Sequence, residues 1–225
     1  MSNKKIIAII PARKGSKRLL RKNIQILGKI PLLAHSIIYF QDEIPNSDCF
    51  VSTDSDEIAT IASEFGAKVL MRPEELATDI ASTTSVLQHS VKELLNQGNI
   101  FDYIVLLQPT NPLRPTGLLK QAICTIESGE YDSLISVSPL HRKLGKIDNN
   151  QYIPWNYYFG QRSQEIEPLY YENGLLYITK KELILEGRII GDNMFSLIVD
   201  HVFGTIDIDT KEDFELAEFY FNKGL

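Results

Sequence analysis

The chain has 225 residues, 44% hydrophobic and 23% charged, with 23 Lys and Arg against 29 Asp and Glu and a formal net charge of −6. That composition excludes a disordered chain and the strong basic excess of a duplex-DNA binder, while leaving room for a local basic pocket that takes a small anion. No apolar run approaches the roughly 18 residues of a membrane helix, and the short run Ile6–Ile10 gives way at once to Arg13, Lys14, Lys17 and Arg18, so no signal peptide is read.

The length fits one domain over 1–225. Cys49 and Cys124 give neither a disulfide framework nor a metal spacing, and read as small reduced residues. In chain order, Lys5–Ile10 is a β-branched run expected as a buried strand. A basic loop spans Arg13–Asn23, and Pro31 opens a helical pattern through Leu33, Ile37 and Phe40. Cys49–Thr53 is a second strand. Asp54 is expected to cap the next helix, with Glu57 three residues on. Lys68–Met71 is a third strand, and Thr83–Asn96 a helix with Val86, Leu87, Val91, Leu94 and Leu95 on one side. Tyr103–Leu107 has the apolar run of a central strand. A helix over 115–128 and a strand Ser133–Val137 follow. Strand-like runs return at Gly174–Thr179 and Phe195–Asp200, and Thr210–Phe221 is an amphipathic helix.

This alternation predicts an α/β fold, a mostly parallel sheet with helices on both faces. Ligands then sit beyond the carboxyl ends of the strands, at the loops 11–23, 53–56, 108–114 and 207–210. The rhythm breaks at Pro139. Residues 139–172 carry Trp155, Phe159 and five tyrosines, which reads as an inserted arm: a dimer interface, a substrate lid, or a subcore packed on its own subunit.

Three motifs carry chemistry. The first runs from Ile10 to Asn23 directly after a strand. It holds Arg13, Lys14, Lys17, Arg18, Arg21 and Lys22 around Gly15-Ser16. A Gly-Ser turn lets backbone N–H groups approach an anion that the cations neutralise, which suits a nucleoside triphosphate. It is not a P-loop, and the chain has no G-x-G-x-x-G fingerprint of a nicotinamide-dependent oxidoreductase. The second is Asp207-Ile208-Asp209-Thr210. In a strand, residues two apart face one side, and two carboxylates there suit a Mg²⁺ ion that keeps several waters and bridges phosphates. Alternatively, Asp209 helps cap the last helix. The third, Gln108-Pro109-Thr110-Asn111-Pro112-Leu113-Arg114, is a rigid polar loop or simply a structural turn. His35, His89, His141 and His201 are scattered, and neither H-E-x-x-H nor G-x-S-x-G is present.

Together these segments, with Val51-Ser52-Thr53-Asp54, Arg72-Pro73-Glu74-Glu75-Leu76-Ala77, Asp79 and Asn173-Gly174, resemble the acylneuraminate cytidylyltransferases, or CMP-sialic acid synthetases. The resemblance runs from Ile6 to about Ala217. It implies a Rossmann-like nucleotide-diphospho-sugar transferase fold and a homodimer built through the arm. It implies Mg²⁺-dependent transfer of CMP from CTP to the anomeric hydroxyl of an acidic nine-carbon 2-keto sugar (legionaminic, pseudaminic or N-acetylneuraminic acid), releasing pyrophosphate. Arg13, Ser16, Lys17 and Lys22 would hold the triphosphate. Asn23, Arg72, Ser82 and Thr83 would line the cytidine side. Gln108, Lys143, Arg162 and Asn173 would face the sugar, and Asp207 and Asp209 would hold Mg²⁺. Lys22, Arg13 and Asp209 are the expected catalytic residues: Lys22 near the α-phosphate, Arg13 on the leaving group, Asp209 on the metal and the attacking hydroxyl. The absence of targeting signals and the need for CTP imply a cytoplasmic enzyme with no nucleic-acid or membrane partner.

Two departures stand out. Sialic acid synthetases often carry Arg-Pro-Asn-Gly where this chain has Tyr171-Glu172-Asn173-Gly174, and relatives acting on legionaminic or pseudaminic acid look closer there. Leu20 stands where proline is frequent. The competing readings are a cytidylyltransferase for the eight-carbon keto-deoxy-octulosonate and a non-catalytic nucleotide-sugar binding protein.

Overall fold

The computed structural model describes residues 4–224; Met1–Asn3 and Leu225, the ends of the expected domain, lie outside it. The elements in chain order are β1 (Ile6–Pro11), the small hairpin β2 (Ile26–Leu27) and β3 (Ile30–Pro31), α1 (Leu32–Glu43), β4 (Cys49–Thr53), α2 (Asp56–Glu64), β5 (Lys68–Met71) and α3 (Thr83–Asn96). Then come β6 (Tyr103–Leu106), α4 (Leu118–Glu127), β7 (Ser133–Leu140), the hairpin β8 (Gly145–Asp148) and β9 (Gln151–Pro154), β10 (Leu169–Lys180), α5 (Lys181–Leu185), β11 (Met194–Ile198) and α6 (Lys211–Asn222).

Seven strands form one sheet in the order β11-β7-β10-β6-β1-β4-β5. Its pairs are parallel except those of β10, which runs antiparallel to both β6 and β7. The chain is therefore α/β with a mostly parallel sheet. In β1, side chains alternate between two apolar layers. Ile6, Ala8 and Ile10 join Leu33, Ile37 and Phe40 of α1 and Leu119 and Ala122 of α4 on one face. Ile7 and Ile9 join Leu87, Val91 and Leu94 of α3 on the other. A strand covered on both faces has no reason to alternate with polar residues, which is why β1 and β6 are unbroken apolar runs.

Three local expectations need correction. β7 does not stop before Pro139. It continues to Leu140, and Pro139 pairs with Tyr170. Pairing of β11 with β7 ends at Val137, so Pro139 lies where its missing N–H interrupts no ladder on that side. Consequently part of the arm belongs to the sheet, and the projecting piece is 141–168, built on the β8–β9 hairpin. The helix expected over 115–128 begins at Leu118, because Pro115–Gly117 form a turn with Gly117 at φ 82°. Finally, Ser55 rather than Asp54 caps α2, accepting from the Ile58 N–H. Asp54 is used elsewhere.

Candidate active site

The first cleft opens beyond the carboxyl ends of β1, β4 and β6, where the parallel strands deliver their loops. It has a volume of about 250 Å³, and Arg13, Ser16, Lys22, Asn23, Arg72, Thr83 and Gln108 all line it. Its wall is the basic loop, which leaves β1 after Pro11 and is held at several points. The Lys14 N–H donates to Asp54 Oδ1 at 2.9 Å. Asn23 Nδ2 donates to the Arg13 carbonyl at 2.9 Å, so Asn23 closes the loop on itself. Arg21, with φ 55°, ion-pairs with Glu57 on α2.

The cations of the loop have specific partners. Arg13 and Lys17 meet Asp79 at 2.8 and 2.5 Å. Lys22 Nζ donates to Asp209 Oδ1 at 2.8 Å and to the Ile208 carbonyl at 2.7 Å, and Arg18 reaches the other Asp209 oxygen at 2.9 Å. Arg72 is buried on the far wall, 3.8 Å from Asp54. Burial pushes its guanidinium down and Asp54 pulls it back up. Its Nε is buried without a hydrogen-bond partner, a donor that a ligand in this cleft could satisfy.

Asp207 and Asp209 flank buried Ile208, whose N–H donates to the Thr110 carbonyl at 2.8 Å. The segment is extended loop rather than strand, yet it alternates as expected, with Ile206 and Ile208 inward. Thr210, not Asp209, caps α6, in a capping box with Asp213. Asp207 keeps solvent contact, but the protein crowding its carboxyl pushes its proton affinity up, with the charge of Asp209 adding to the rise and the Thr110 hydroxyl opposing it. Two mutually repelling carboxylates are a fitting donor pair for a hard cation. Among the described residues no cluster of three or more metal-ligating side chains exists, so phosphate and water would have to complete the shell, which is how Mg²⁺ is commonly held.

A second cleft of about 800 Å³ adjoins the first, and Gln108 lines both. Its floor is a buried amide knot. Asn111 Nδ2 donates to the Ile206 carbonyl at 2.7 Å and the Asn173 carbonyl at 3.2 Å. A Cβ on Gly174 would come within 2.7 Å of Asn111 Oδ1, and Gly174 has φ +71°, so both contact and conformation require glycine.

A family model described as Cytidylyltransferase matches residues 7–222. The chain belongs to the cytidylyltransferase family. It is a nucleotidyltransferase, and the relatives below cover 95–96% of it. It is 36% identical to the CMP-N,N'-diacetyllegionaminic acid synthase of Legionella pneumophila, over 95% of each chain. It is 34% identical to a pseudaminic acid cytidylyltransferase of Campylobacter jejuni, over 96% of each. A solved CMP:2-keto-3-deoxy-manno-octonic acid synthetase, complexed with CTP, superposes with a TM-score of 0.72 over 98% of this chain and 100% of its own; at 15% identity it shows a shared fold.

In this cytidylyltransferase the residues singled out from sequence do not all converge. Lys17 sits on the outer rim beside Asp79 rather than in the first cleft. Ser82 caps α3, accepting from the Ser85 N–H at 3.0 Å, while its neighbour Thr83 reaches the cleft. Asn173 borders the second cleft, but its side chain is spent: Oδ1 accepts from Ser136 and from the Leu175 N–H, and Nδ2 donates to Ser138. Lys143 projects along the arm, donating to the Gln161 carbonyl at 2.7 Å. Arg162 is exposed at the start of the Ser163–Glu165 turn. The residues that line the second cleft instead are their neighbours His141 and Arg142, together with Glu172 and Asp207. In the sequence His141 is only one of four scattered histidines, and no motif marks Arg142. Their signal was position, directly after the last residue of β7.

Proposed function

We propose that this chain transfers CMP from CTP to the anomeric hydroxyl of an acidic nine-carbon 2-keto sugar, of legionaminic or pseudaminic type. The observation that carries this reading is the pair of adjoining clefts. A basic, triphosphate-suited cleft and a larger, mixed-charge cleft meet at Gln108 and the Asp207–Asp209 segment. The names of the relatives, and Tyr171-Glu172 standing where sialic acid synthetases often carry Arg-Pro, support the choice of sugar.

In this reading, Arg13, Ser16 and Lys17 hold the β- and γ-phosphates, and Lys22 faces the α-phosphate. Asn23, Arg72 and Thr83 face the cytidine, with Ser82 fixing the helix start beside it. Gln108, His141 and Arg142 face the sugar. Lys143 and Arg162 would act only if the arm folds over a substrate or a second copy. The hydroxyl oxygen forms a bond to the α-phosphorus in line with the departing oxygen. The bond from that phosphorus to the bridging oxygen breaks, pyrophosphate leaves with the electron pair, and the hydroxyl proton passes to the carboxylate pair. Such a transfer needs positioning and charge neutralisation more than covalent help. Asp207 and Asp209 would hold Mg²⁺, which supplies charge neutralisation at the phosphates. Lys22, tied to Asp209 and the Ile208 carbonyl, is thereby aimed.

The arm supports a homodimer. Trp155, Tyr158 and Phe159 are 62%, 64% and 70% exposed on it, an apolar display that a second copy would cover. No described helix is long and apolar enough to cross a membrane; the cytoplasm, where CTP is made, is the proposed setting.

The deciding experiment is pyrophosphate release with CTP, Mg²⁺ and a panel of N-acetylneuraminic, legionaminic, pseudaminic and eight-carbon acids. Turnover that prefers a nine-carbon acid supports the reading. Preference for the eight-carbon acid replaces the sugar, and CTP binding without turnover on any acid points to a binding protein.

A further inference from the structure

Arg13 and Lys17 converge from the basic loop on one carboxylate. That carboxylate is Asp79, from the segment between β5 and α3 that forms the opposite rim of the first cleft. Arg13 also reaches the Ala77 carbonyl of the same segment at 3.5 Å. The two cations, Lys17 first and Arg13 next, hold the Asp79 carboxyl below the ordinary carboxylate range. Asp79 is 40% exposed and Lys17 82% exposed at their side chains, so the cluster is open to an incoming anion.

We infer that Asp79 is a specificity-determining residue, a built-in counter-anion that the outer phosphates of a nucleotide must displace from Arg13 and Lys17. The inference rests on the proposed reading of this cleft as a triphosphate site. Donors aimed at Asp79 are withheld from a phosphate, and any phosphate held by the same two cations lies beside a like charge. A ligand with a pyrophosphate unit gains both cations by making the exchange. A nucleoside monophosphate held near Lys22 has nothing to offer Arg13 and Lys17, and leaves Asp79 where it is. The exchange is reversible because solvent-exposed ion pairs are individually weak. Once pyrophosphate has been cleaved from the nucleotide, Asp79 competes for its cations and speeds its departure.

The test is calorimetric titration of inorganic pyrophosphate, CMP and CTP, in Mg²⁺, into wild type, Asp79→Asn and Asp79→Ala. Each partly exposed ion pair is worth on the order of twofold to fivefold in an equilibrium. Both variants should therefore bind pyrophosphate about tenfold more tightly, with CMP affinity changed by less than about twofold. Damage to the fold would not produce a selective gain in affinity. Unchanged or weaker pyrophosphate binding in both variants overturns the inference, as does equal tightening for CMP. Wild type that binds neither CTP nor pyrophosphate overturns the triphosphate reading itself, a result separate from any difference between the variants.

Discussion

Arg114 gives the sharpest test of how the two clefts are held. It is buried, and among the described residues no acid lies within ion-pair reach. Burial pushes its guanidinium down to about 10. It is kept by three hydrogen bonds: Nε to the Leu175 carbonyl at 2.6 Å, a terminal nitrogen to Ser36 Oγ at 2.9 Å, and the other to the Gln108 carbonyl at 2.9 Å. Consider Arg114→Met and Arg114→Lys. Methionine removes the buried charge and fills much of the space. The Gln108 carbonyl still accepts from the Asn111 N–H, and the Ser36 hydroxyl can rotate. Leu175 lies where the β7–β10 register breaks, and its carbonyl loses its partner. One orphaned carbonyl and two weakened contacts cost about 2–3 kcal/mol. Lysine keeps the charge in the same place with one compact donor group, which cannot serve three diverging acceptors. An under-satisfied buried charge costs about 3–5 kcal/mol. The chemically closer substitution is therefore the more damaging one. Urea unfolding at neutral pH measures both. For a chain of this size the lysine variant should also melt roughly 6–20 °C lower. A lysine variant as stable as wild type, or more stable than the methionine variant, would refute the reasoning.

Other outcomes follow from the same geometry. Gly174→Ala adds a Cβ against Asn111 in a left-handed backbone; we expect about 2–3 kcal/mol of lost stability and a raised KM for the sugar, with KM for CTP little changed. If KM for CTP rises equally, the knot does not belong to the second cleft alone. Native protein should expose one thiol to Ellman's reagent at pH 8. Cys124 is exposed, whereas burial pushes Cys49 up to about 12; two rapidly reacting thiols would contradict that packing. The carboxyl of Asp79 is depressed in the folded chain by Lys17 and Arg13. Its stabilising contribution is thus present above the unfolded value near ~3.9 and lost as pH falls through the lower folded value. The stability gap between wild type and Asp79→Asn should accordingly narrow in acid, and a gap that widens below about pH 4 would count against the pairing.

Much of this was legible in the sequence, for identifiable reasons. β1 and β6 declare themselves because strands buried on both faces are unbroken runs of β-branched and apolar residues. The basic loop and the Asp207–Asp209 pair are legible because their chemistry is local. What escaped is what depends on distant partners. Asp79 lies more than sixty residues from Arg13 and Lys17, and nothing near it in sequence shows that it meets them. Arg114 looks like any surface arginine until Ser36 and Leu175 close around it. The Gly174–Thr179 part of β10 reads like any other core strand, and nothing local shows that it runs antiparallel to β6 and β7. Lys143 and Arg162 have the right charge for an acid sugar, but the arm carries them away from the cleft that His141 and Arg142 line. Ser55 takes the cap of α2 because the helix starts one residue later than expected, which leaves the Asp54 carboxylate to accept from the Lys14 N–H.

The irregularity in β10 has a consequence for how such a chain can diversify. Beyond the break between Glu172 and Tyr177, the outer half of the strand pairs with β7 alone, while the inner half is locked between β6 and β7. Inherited changes in the outer half and the arm are therefore felt at the Glu172 side of the second cleft, and die out before β6 and the basic loop. The second cleft is thereby separated from the first, so sequence drift is expected to concentrate at 139–172 and to be slow at 6–23.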